Sequence, residues 1–102
     1  MKITLNLQGA TRTFVPKFIS ARALKDTIDI SSQIGNNFDS NSVDVMINYL
    51  VKVYGSQFTY DDILDGVAIE DLVPIFQQTV EGIMAKFSEK ISSLPNAVAG
   101  NQ

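Results

Sequence analysis

The sequence predicts an α+β fold, mostly α: an N-terminal β-hairpin followed by three to four helices, the last of them long. Three observations carry this. Polar–apolar alternation is confined to residues 1–15, capped helical stretches follow Pro16, and the last third holds a long amphipathic run.

Lys2 to Leu7 alternates so that Ile3, Leu5 and Leu7 share one face of a half-buried strand. Gln8-Gly9-Ala10 is a break, and Thr11 to Val15 is β-rich enough to return as a second strand. Two strands are not stable alone in water, so the hairpin must lie on the helices or pair with another chain. Ser20 is placed to cap a first helix reaching about Ser32, with Ala21, Leu24 and Ile28 on one face. Gly35-Asn36-Asn37 reads as a loop.

Ser40 or Asn41 caps a second helix that runs to Tyr54 and stops at Gly55. Val43, Met46, Ile47, Leu50 and Tyr54 make its core stripe. Val45, Tyr49 and Val53 make a second stripe displaced around the helix. A helix apolar on two sides is either enclosed or offers one side to a partner. A central helix in a small domain favours enclosure, and the second stripe is the candidate contact if one side is free.

The stretch from Phe58 to Pro74 organises the chain. Thr59 and Asp62 stand at capping-box spacing, and Phe58 and Ile63 at hydrophobic-staple spacing. Gly66 is expected to end this short helix in the left-handed conformation. Glu70 and Asp71 then reopen a helix, their charge set against the positive end of its dipole. The pattern Ile69, Leu72, Val73, Phe76, Val80, Ile83, Met84, Phe87, Ile91 carries it onward. Pro74 is expected to kink or restart this helix, and Gly82 to weaken it. At ~1.5 Å per residue the run approaches 35 Å, so its C-terminal end should project. Residues 1–91 read as a single domain and 92–102, rich in Ser, Pro, Asn, Ala and Gly, as a flexible tail.

Composition excludes whole classes of chemistry. With 102 residues, 45% of them hydrophobic, the chain suits one domain with a modest core. It has no Cys and no His, so it lacks thiolate chemistry, disulfides, and the commonest general base and metal ligand. The net charge of −3 argues against general nucleic-acid binding. No run of about 18 apolar residues suggests a membrane span, and no signal peptide is evident, so a soluble intracellular protein is expected. Charge is strongly polarised: Lys2, Arg12, Lys17, Arg22 and Lys25 all precede Asp26, the first of 11 acids. Either the halves neutralise one another within the fold, or the surface is bipolar and suits head-to-tail self-association.

The acids Asp61, Asp62, Asp65, Glu70 and Asp71 do not make a calcium loop. With Gly66 at the sixth EF-hand position, Ile63 and Leu72 fall where ligands belong. Capping explains the acids better. No phosphate loop, dinucleotide fingerprint or nucleophile elbow is present, so no catalytic, cofactor-binding or metal residue is assigned and no enzyme is expected. Asp39-Ser40 before a helix is similar to an acyl carrier protein, where such a serine bears phosphopantetheine. Asn41 stands where carriers have Leu, and the hairpin and long last helix do not belong to that fold.

Gln57-Phe58-Thr59-Tyr60-Asp61-Asp62-Ile63-Leu64-Asp65-Gly66, followed by Glu70-Asp71-Leu72-Val73-Pro74, resembles the tail assembly chaperones of siphophages infecting Gram-positive bacteria. The similarity runs in order through the β opening, the helix around Arg22 and Leu24, and Val51-Lys52-Val53-Tyr54-Gly55. It implies a non-enzymatic protein of the host cytoplasm, without cofactor, that binds the tape measure protein, keeps it soluble before tail-tube polymerisation, and is absent from the virion. It also implies self-association, a possible contact with the tail tube protein, and in many relatives a longer frameshifted form. On this reading Val45, Tyr49 and Val53, with Ile83, Phe87 and Ile91 of the last helix, are the candidate contact residues.

Overall fold

A computed structural model describes residues 1–33 and 38–93, the side chains of residues 92 and 93 excepted. The predicted loop at Gly35-Asn36-Asn37 and nearly all of the predicted tail lie outside the described residues. The elements are β1 (Ile3–Leu7), β2 (Ala10–Phe14), α1 (Ala21–Gln33), α2 (Ser40–Val53), α3 (Tyr60–Gly66) and α4 (Leu72–Ser93). The fold is therefore an N-terminal antiparallel hairpin followed by four helices, the last one long.

The hairpin closes through the shortest of turns. Leu7 pairs with Ala10 and Ile3 with Phe14, leaving Gln8 and Gly9 as the two loop residues. Both have positive φ, 53° and 83°, which matches the right-handed strand twist that two-residue hairpins need. Ile3 and Leu5 are fully buried, whereas β2 is exposed until Phe14, whose ring meets Phe58 edge-on at 5.1 Å. The hairpin thus lies on the helices by one strand.

Helix α2 is the hub. Its cap is Asp39, not Ser40 or Asn41: the Asp39 carboxylate accepts from the Ser42 N–H, and the Ser42 hydroxyl accepts from the Asp39 N–H. A carboxylate one residue earlier does the work expected of the hydroxyl or amide. At the other end Gly55 (φ 71°) and Ser56 donate to the carbonyls of Lys52 and Val51, a Schellman closure. The Gln57 amide then donates to the carbonyls of both Tyr54 and Val15, tying this turn to the end of the hairpin.

Three other expectations change. Helix α1 turns Ala23, Thr27 and Ile30 inward, while Ala21 and Ile28 face out and Leu24 is half-buried. The predicted stripe was rotated because it omitted Thr27, which is fully buried. Thr59 and Asp62 do form the capping box of α3, but Gly66 is still helical and Val67 is the cap residue. Gly66 is needed for space: a Cβ there would stand 2.9 Å from the Asn6 carbonyl oxygen. Helix α4 begins at Leu72, later than read, with Ile69 and Glu70 in the preceding turn. Pro74 therefore sits in the first helical turn, where no N–H is needed, and α4 continues without restarting. Gly82 is different, since a Cβ there would meet only the flexible end of Met1, its methyl at 2.6 Å.

Phe76, Thr79 and Ile83 turn α4 onto the core, but residues 84–90 are all exposed. The distal helix projects, and the radius of gyration is 15.2 Å against about 13 Å for a compact chain of this length.

Candidate partner-binding surface

The six sequence-picked residues divide into two groups. Tyr49 and Val53 are 4% and 2% exposed, and Ile83 is buried as well. Tyr49 is held from both ends: its hydroxyl shares a 2.6 Å hydrogen bond with Thr27 Oγ1, and its ring meets Phe76 edge-on at 5.5 Å. Thr27 in turn donates to the Ala23 carbonyl, so the contact crosses from α1 to α2 with every polar atom used. Tyr54 Oη lies 3.4 Å from Thr79 Oγ1, a counterpart between α2 and α4. Burial pushes both tyrosine hydroxyls above their ordinary pKa. Two-sided apolarity in α2 therefore arises from enclosure, as the physics of a central helix favours, and Tyr49, Val53 and Ile83 are closed to a partner in this conformation.

Val45 is half-buried and lines a cavity between α1 and α2 with Asp26, Asp29 and Lys52. Phe87 is 41% exposed, and Ile91 is half-buried. These two continue a line that starts much nearer the core. At 100° per residue, Val73, Val80, Met84, Phe87 and Ile91 fall within an arc of about 60°, beside the arc of Phe76 and Ile83. Helix α4 therefore carries two adjacent apolar faces, one buried and one open.

The open face leads into a groove. Phe38, Leu64, Ile69, Leu72 and Val73 are among the residues lining a cavity of about 420 Å³ that has Ile47 and Ile63 in its wall. Phe38 and Val73 also border a second cavity, which runs along α4 past Val80 to Glu81. Ile69 is 94% exposed and Phe38 58%, unusual values for large apolar side chains beside one another on a small domain. Phe38 lies outside every apolar stripe of the sequence, and Ile69, which fits the helical pattern, stands before the start of α4. A break in periodicity carries no exposure signal, which is why this groove was not legible.

A family model described as phage tail chaperone protein matches residues 1–95. The chain belongs to this family. No curated protein and no solved structure matches it. As a tail chaperone it functions in phage tail assembly, and no helix among its described residues is long and apolar enough to cross a membrane.

Several other polar side chains of the chaperone have structural roles. Asp39 and Ser42 are occupied in the α2 cap, and the Ser42 N–H bond holds the Asp39 carboxyl below its ordinary pKa. Ser40, the serine of the carrier-like pair, is simply the exposed first residue of α2. Asp62 accepts from the Thr59 N–H. Tyr60 donates to Asp44, a bond that raises the tyrosine's pKa and pins the start of α3 onto α2.

Proposed function

We propose that this tail chaperone binds the tape measure protein in the host cytoplasm and keeps it soluble until the tail tube polymerises around it. The observation that carries this reading is the open apolar track along α4, from Val73 through Val80, Met84 and Phe87 to Ile91. A tape measure protein is a long helix whose apolar stripe aggregates if left uncovered. A track of five helical turns, ~27 Å at 1.5 Å per residue, suits side-by-side packing with such a stripe. Phe87 and Ile91 remain contact residues in this proposal, and Val45 a peripheral one. The chaperone also self-associates in this reading, its basic first quarter meeting the acidic remainder of a neighbour, with the exposed Phe18 beside Lys17 at the junction.

Co-expression with the tape measure protein of the same phage tests the reading. The expected result is a partner that moves from the insoluble to the soluble fraction and copurifies. A partner that stays insoluble and does not copurify rejects the chaperone–tape measure pairing.

A further inference from the structure

Charge around the Phe38–Ile69 groove is one-sided. Asp39 follows Phe38, Glu70 and Asp71 stand between Ile69 and Leu72, and Glu81 borders the adjoining cavity; all four carboxylates are exposed. Among the described residues, no Lys or Arg lines either cavity. Between residues 38 and 81 the only cation is Lys52, which lines the separate cavity between α1 and α2. An apolar floor whose nearest charges along the chain are acidic discriminates among partners: it attracts a basic segment and repels an acidic one of equal hydrophobicity.

We infer that the groove receives an amphipathic helix whose apolar stripe is flanked by Lys and Arg, its apolar side chains entering between Ile69, Phe38 and Val73. This rests on the proposed function, in which the helix is a segment of the tape measure protein, and it specifies which segment: a basic-flanked one. The floor supplies affinity, through Ile69 and Phe38, both of which stand open to water in the free protein. The flanking carboxylates supply orientation and selectivity, and their contribution weakens as salt rises because all four are solvent-exposed. The chain's own basic segment is the competing occupant, and it is separable by experiment.

Two labelled synthetic helices of about 18 residues, long enough to cover the ~27 Å track, serve as probes. They share one leucine stripe and carry either lysines or glutamates beside it. Fluorescence anisotropy against the full chain should show the lysine peptide binding at least about tenfold more tightly, with the gap closing towards 1 M salt. Ile69→Asp should weaken lysine-peptide binding by about tenfold or more. The pair Glu70→Lys and Glu81→Lys should abolish the preference, since two negative and two positive charges then flank the groove. Equal affinity for both peptides, or full binding by Ile69→Asp, overturns the proposal. So does an oligomer that dissociates in Ile69→Asp while neither peptide binds wild type, which gives the groove to a second copy. If tape measure protein is solubilised equally by wild type and Ile69→Asp, the groove assignment fails and the chaperone function stands. If wild type binds the lysine peptide but does not solubilise tape measure protein, the groove stands and the named partner fails.

Discussion

The two faces of α4 are built from the same residue types and differ in what they meet. Phe76 and Ile83 pack onto Tyr49 and the rest of the core, while Val73, Met84 and Phe87, on the adjacent arc of the same helix, are exposed. Beneath the buried face, polar atoms are paired across elements: Thr79 of α4 with Tyr54, and Thr27 of α1 with Tyr49 of α2. The open face leads instead into a groove flanked in the chain by exposed carboxylates. Burial of polar groups requires partners, so a face equipped with buried hydrogen bonds is a finished interior. A face of bare hydrocarbon beside exposed acids is what a partner can cover.

Placing the same charge on each face should have opposite consequences. Tyr49→Asp should cost about 4 kcal/mol or more, a large part of the stability of a domain this size, and unfold most of the protein. Ile69→Asp and Phe87→Asp should stay within about 0.5 kcal/mol of wild type by thermal melting. If Tyr49→Asp were tolerated, or if Ile69→Asp unfolded the chain, the assignment of the faces would be reversed.

The glycines sharpen the same contrast at smaller magnitude. Gly66→Ala pushes a methyl against the rigid Asn6 carbonyl and should cost about 1–3 kcal/mol. Gly82→Ala meets only the movable end of Met1 and gains helix propensity, so it should be neutral or stabilise by up to about 1 kcal/mol. Urea titrations of the two variants side by side measure the difference.

The smallest effect is a pH dependence. Burial raises the Tyr49 and Tyr54 hydroxyls above 10.0, so the folded chain holds these protons more tightly than the unfolded one. Their stabilisation is complete below pH 10 and is lost as pH rises through the higher folded values. Unfolding free energy should therefore fall between pH 9 and pH 11, and fall less steeply in Tyr49→Phe. An identical slope in that variant would place the titrating group elsewhere.

Local chemistry made much of this fold readable from sequence. Thr59 with Asp62, the alternation of Ile3 and Leu5, and the stop at Gly55 each follow from interactions within a few residues, and each stands in the structure. The projecting end of α4 was readable from length alone. What failed depended on neighbours distant in sequence. Gly66 reads as a terminator because its approach to Asn6 is invisible locally. Pro74 reads as a kink because nothing local shows that the helix starts only at Leu72. Enclosure of Tyr49 and Val53 was the favoured reading for a central helix, but they also stood as contact candidates, since periodicity reports that a stripe exists and not what lies against it.

In the proposed complex the partner meets the open face of α4 and its groove, and not the enclosed stripe of α2. Photo-crosslinking within the co-expressed complex tests it directly, with a photoreactive amino acid at position 69, at 87, or at the exposed hairpin end, Val15. Crosslinks to the tape measure protein from positions 69 and 87, and none from 15, are the predicted result. Copurification with crosslinks from 15 alone would contradict the account and move the binding face to the hairpin.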